Sequence, residues 1–184
     1  MTQRRAARPW QHAMAGLLLL AASTFLLPGG VEVDVSPARG GPELWVALLT
    51  PGERFTLRYV HSVDRQPIWE VHSVDAWGAL FVEEERFVMV GAGMGDLPGR
   101  GRWGGADGMQ SIRGMHYRLG EFVLRIGSPG VDHTLLWRNT ATNLSARAAG
   151  AAVQVSARPV SLAYRLWRQL RPHPATPVPG EDHG

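Results

Sequence analysis

His61 and Glu70 are the residues whose types and spacing point most directly to chemistry. They flank a short polar turn, Asp64-Arg65-Gln66-Pro67, between two alternating runs, so a hairpin would bring imidazole and carboxylate together. Such a couple fixes the imidazole tautomer and raises its basicity, as a general base or a metal ligand requires. A structural cross-strand hydrogen bond would use the same two residues. Adding His72 gives two imidazoles and a carboxylate, a weak zinc set with no His-x-His or His-Glu-x-x-His pattern behind it. A serine hydrolase is excluded, because Ser62 adjoins His61 and in a strand points to the opposite face, and no Gly-x-Ser-x-Gly elbow exists. The chain has no Cys, which removes disulfides and thiolate chemistry, and all 19 basic residues are Arg, which removes lysine Schiff bases.

The elements that position these residues are strands. Short apolar alternations punctuated by Gly, Pro and Asp predict strands near 31–35, 44–49, 54–63, 68–77, 79–90, 115–119, 121–126, 134–138 and 152–156. No stretch from 31 to 150 holds a helical apolar spacing, so the expectation is an all-β fold, a β-sandwich or an open barrel. Pairing Val63 with Ile68 sets His61 opposite Glu70, Tyr59 opposite His72 and Leu57 opposite Val74, all on one face. Residues 91–108 contain eight glycines in eighteen positions and read as one long surface loop. Gly91-Ala-Gly-Met-Gly95 is followed by Asp-Leu-Pro-Gly, which cannot open the helix a dinucleotide fingerprint needs. Its amides with Arg100 and Arg102 suit either an anion nest or a plain linker. Trp45, Trp69, Trp77 and Trp137 are expected core anchors, and Trp103 a surface contact.

At 184 residues the chain has room for one core. Its net charge of +3 lies at the ends: residues 31–150 carry 12 Arg against 14 acids. A basic stripe for a phosphate backbone is therefore lacking, and no nucleic acid is expected as a partner. Arg4, Arg5 and Arg8 precede an apolar run, Ala13 to Leu27, ended by Pro28-Gly29-Gly30. That is the layout of an export signal, cleaved or retained as a short membrane anchor. The sequon Asn143-Leu144-Ser145 is read as chance. Leu162, Leu166 and Leu170 repeat at four-residue steps with Arg165, Arg168 and Arg171 around them, a basic amphipathic helix suited to an anionic membrane surface or to docking on a sheet. The divisions are residues 1–30 as signal or anchor, 31–157 as β domain, 158–171 as amphipathic helix and 172–184 as a disordered tail.

The string Tyr59-Val-His-Ser-Val-Asp64, then Glu70, then Glu84-Glu85-Arg-Phe87 leading to Gly91-Ala-Gly-Met94, resembles a family of small exported bacterial proteins of unknown function. Its members are encoded beside TAXI-type TRAP transporters, which take up organic acids. The resemblance covers roughly residues 31–157. The family often has Glu where Asp64 stands and Pro where Gly95 stands. The resemblance implies a ligand-binding set of His61, Ser62, Asp64, Glu70, Glu85, Gly91 and Gly93, with no catalytic residue and no cofactor. It implies an accessory or ligand-binding protein, periplasmic or held at the outer face of the cytoplasmic membrane. Its partners would be the membrane and the TRAP permease or the solute-binding protein. The alternative is an envelope enzyme or metal-binding protein using His61 and Glu70. A reporter fused after Gly184 is expected to be active only as an exported fusion, and activity of a reporter that works only in the cytoplasm would overturn the address.

Overall fold

The computed structural model of the chain describes residues 9–88, 101–106 and 108–170. Two compact units emerge, one from residues 30–159 and one from the two ends, 1–29 with 160–184. Among the described residues the larger unit is built on eleven strands: β1 (Pro28–Pro37), β2 (Trp45–Leu49), β3 (Arg54–Val60), β4 (Pro67–Val74), β5 (Leu80–Phe87), β6 (Arg102–Ala106), β7 (Met109–Arg118), β8 (Phe122–Arg125), β9 (Thr134–Trp137), β10 (Thr140–Asn143) and β11 (Ala152–Ser161). They form a four-stranded sheet in the order β2-β1-β11-β8 and a seven-stranded sheet in the order β10-β9-β3-β4-β5-β7-β6. The architecture is sandwich-like and mostly antiparallel.

Alternation explains the layers. In β1, Val31, Val33 and Val35 are fully buried, and Trp45, Ala47 and Leu49 of β2 lie on the same face. They meet Phe55, Leu57, Val74, Leu80 and Leu135 of the larger sheet in one apolar cluster. Trp45 anchors it, tilted on Phe55 and edge-on to Trp137. Trp77 does not join it, contrary to the expectation above: it sits in the turn after β4, 83% exposed. A second, smaller apolar cluster of Ile68, Val82, Phe87, Ile112 and Met115 lies farther across the larger sheet.

The hairpin of β3 and β4 is real, but its register differs from the expected one. Leu57 faces Glu70, Phe55 faces His72 and Tyr59 faces Ile68, a displacement of four residues. His61 therefore does not sit opposite Glu70, and lies about 13 Å farther along the strand than Glu70's partner Leu57. The turn decides this. His61 N donates to Gln66 O, and the four residues between close the loop with Arg65 in the left-handed region at φ 56. Pro67 then opens β4, where its missing N–H costs no ladder bond.

Other elements escaped the apolar pattern. Part of the glycine-rich stretch, Arg102–Ala106, is a strand paired with β7, while Gly91, Gly93 and Arg100 lie outside the described residues. The short strand β10 leads into a helix α2 (Leu144–Ala148), capped by the Asn143 side chain, whose oxygen accepts from Ala146 N and whose amide donates to Asp132. The sequon asparagine is thus committed to structure.

The terminal unit contains helix α1 (Pro9–Leu26) and helix α3 (Leu162–Leu170), joined where Leu162 N donates to Leu27 O and Arg165 donates to Gly29 O. Gly29 is obligatory, since a Cβ there would lie 2.2 Å from Ser161 O. No residue of α3 is buried. Among the described residues no helix is long and apolar enough to cross a membrane. The tail from 172 lies outside the described residues.

Cross-strand NMR contacts are expected between Leu57 and Glu70 and between Phe55 and His72. A His61–Glu70 contact would restore the tighter hairpin.

Candidate functional site

The larger sheet places one row of side chains across six strands: Leu135, Leu57, Glu70, Glu85, Ile112 and Trp103. Four apolar residues flank two carboxylates standing directly opposite each other. A like-charged cross-strand pair is destabilising by itself, so its presence at the centre of a half-buried face calls for a reason.

The reason is partly geometric. Along β5, Leu80 and Val82 face the core, and strict alternation would next turn Glu84 and Arg86 inward. Instead Val71 pairs with Glu84 while His72 pairs with Val82, leaving Glu83 as an extra residue in a bulge. The bulge changes the phase of the strand. Glu85 and Phe87 now face inward, and Glu84 turns to the other face, where Arg86 and Arg113 hold it. Glu83 is bonded by Ser73 at 2.6 Å and by His116 at 2.8 Å.

Around Glu70 the groups converge. Tyr59, diagonal to it across the hairpin, donates its hydroxyl to Glu70 Oε1 at 2.8 Å. His72, two residues along β4 on the same face, brings Nε2 to 3.4 Å from Glu70 Oε2. The imidazole is 1% exposed and stacked between the rings of Phe55 and Phe122, beside a water-sized void of about 10 Å³. Neither of its ring nitrogens has a properly formed hydrogen bond among the described residues. His133 stacks on Tyr59, and its Nδ1 accepts from Gly127 N at 3.0 Å, which leaves the neutral ring its proton on Nε2.

These surroundings push the two carboxyls apart. Burial raises Glu70, but His72, the Tyr59 hydroxyl and, more weakly, His133 outweigh it and hold the carboxyl below its ordinary range. Glu85 goes the other way, raised by burial and then by the Glu70 charge, with only His72 opposing. Tyr59 is driven far up by burial and by Glu70. Burial lowers His133 against the pull of Glu70 and Asp132. One carboxyl is thus tuned to stay ionised and its neighbour to hold a proton longer.

Of the residues singled out from sequence, the structure brings together Glu70, Glu85 and His72. His61, Ser62 and Asp64 lie instead in the loop between β3 and β4, with His61 Nδ1 3.0 Å from Asp64 Oδ2 and Ser62 exposed. The set His61, Glu70 and His72 is not assembled, and no group of three or more potential ligands that could hold a metal occurs among the described residues. Tyr59 as a hydrogen-bond donor and His133 as its stacking partner were not foreseen.

A scan against protein families matches residues 55–144, the span from β3 through β10 and the first residue of α2. A domain of unknown function, DUF1850, is found there. The DUF1850 segment carries every strand of the seven-stranded sheet and all of Tyr59, Glu70, His72, Glu85 and His133. No curated protein and no solved structure matches the chain.

The opposed shifts give a signed expectation. Glu85 is raised in the fold, so its ionisation opposes folding, and that cost is absent at low pH and grows as pH rises through the folded value. Glu85→Gln should therefore gain about 0.5–1 kcal/mol at pH 8 and little at pH 4. Glu70 is lowered, so it stabilises above the ordinary carboxylate range, and that contribution fades as pH falls towards its folded value. Glu70→Gln should lose stability at pH 8 and less under acid. Urea melts at both pH values check the signs.

Proposed function

We propose that this protein is an exported accessory protein of a TRAP-type organic-acid transporter, and that its β domain holds a small ligand at the Glu70–Glu85 pair. The observation that carries the binding role is the pair itself, set in an apolar row at the cost of desolvation and like-charge repulsion. A residue row needed only for packing would be served better by two more aliphatic side chains. Support for the transporter setting comes from the motif run Tyr59 to Asp64, Glu70 and Glu84 to Met94. Support for export comes from Arg4, Arg5 and Arg8 ahead of the apolar run. The partners in this reading are the permease or its solute-binding protein, at the outer face of the cytoplasmic membrane.

The rival reading, an envelope enzyme or metal-binding protein, would draw on Glu70 with Glu85 rather than with His61. What favours it is the divergence of the two carboxyls, Glu70 held below the ordinary carboxylate range and Glu85 raised above it, which suits acid–base work. It requires turnover, which the binding reading does not.

Deleting the gene should reduce organic-acid uptake. The wild-type gene should restore it, while Glu85→Gln, produced at equal level, should restore about a tenth or less. Full restoration by both Glu85→Gln and Glu70→Gln would overturn the role given to the site.

A further inference from the structure

The acids of the larger unit are matched with bases almost wherever they are drawn into the sheets. Arg158 holds Glu32, Arg138 holds Glu53, Arg86 and Arg113 hold Glu84, Arg58 holds Asp132, and His116 holds Glu83. Glu85 departs from this pattern. Among the described residues it has no hydrogen-bond donor and no arginine, and its electrostatic neighbours are Glu70, His72 and Tyr59. The His72 ring aimed at Glu70 is itself buried and, among the described residues, makes no hydrogen bond: its Nε2 stops at 3.4 Å from Glu70, outside good hydrogen-bond geometry. Among the described residues the cluster carries no compensating cation beside Glu85, and Glu70 is 24% exposed.

The walls say what would complete it. Tyr59 adjoins Glu70, and Trp103, 56% exposed, ends the row, backed edge-on at 5.9 Å by the fully buried Phe87. Tyr117 packs against the same apolar cluster. Two carboxylates among aromatic rings attract an organic cation twice over, through charge and through the ring quadrupoles. The same arrangement repels a free carboxylate.

We propose that Glu70 and Glu85 seat the ammonium group of a small organic molecule, whose apolar part extends along the row towards the exposed Trp103. This rests on the binding role given above and specifies its ligand: the molecule bears an amine, whatever other groups it carries. The cation takes the place of the basic side chain that Glu85 lacks among the described residues. It also removes the repulsion between the paired carboxylates.

Isothermal titration of the purified full chain at pH 8, with n-butylammonium chloride, sodium succinate and calcium chloride as separate probes at matched ionic strength, tests this. Butylammonium should bind, Glu85→Gln should weaken that binding about tenfold or more, and binding should weaken at pH 5 as Glu85 takes up a proton. Glu85→Gln removes a repulsion, so it is expected to fold. Binding of succinate or calcium but not butylammonium overturns the ammonium assignment, as does butylammonium binding that Glu85→Gln leaves intact. Failure of all three probes overturns it too. An uptake defect in the carboxylate variants alongside such a failure would leave the accessory role standing, so the two readings fail separately.

Discussion

One extra residue in β5 governs what this sheet can do. Strands present alternate side chains to alternate faces, so inserting Glu83 reverses every assignment beyond it. Through that reversal Glu85 turns inward to face Glu70, Phe87 enters the apolar cluster, and Glu84 joins the arginines on the other face. The bulge is matched on β7, where Gly114 and His116 take positive φ and the pairing shifts between Tyr117 and Arg113. Both neighbours of β5 therefore accommodate the same change of phase.

Charge is handled differently on the two faces. All basic side chains are Arg, whose planar fork reaches two oxygens of a carboxylate at once and tolerates partial burial. Glu84 between Arg86 and Arg113, and Glu53 with Arg138 and Trp137, are held this way, and Glu53 falls to about 2 although burial opposes it. The inward pair relies on Tyr59 and His72 instead. A tyrosine hydroxyl stabilises one carboxylate and cannot neutralise two. The asymmetry between Glu70 and Glu85 is the direct result.

The DUF1850 segment runs through all the strands of the seven-stranded sheet, from β3 to β10, and takes in β8 of the other sheet, which ties the carboxylate pair to the region where the domain is found. The four-stranded sheet draws β1, β2 and β11 from outside that segment and supplies the valines and Trp45 that cover the Phe55 end of the site. His72, clasped by Phe55 of one sheet and Phe122 of the other, is where the two layers meet the chemistry.

Local sequence was enough to determine that the protein is built of strands, where most of them lie, and which face of the β3–β4 hairpin carries Leu57, Tyr59, Glu70 and His72, because a period of two is written into the side chains themselves. It could not set the register, since a displacement by four residues keeps every one of those residues on the same face and satisfies the apolar pattern equally well. The choice fell to the turn, where His61, Asp64 and a left-handed Arg65 close a four-residue loop. Strands β6 and β10 were hidden because edge strands bury little and their glycines, threonines and polar residues show no apolar alternation. The Glu70–Glu85 pair was beyond the reach of local pattern for a different reason: it depends on which strand lies beside β4 and on a bulge in that neighbour. Only the assembled sheet decides both.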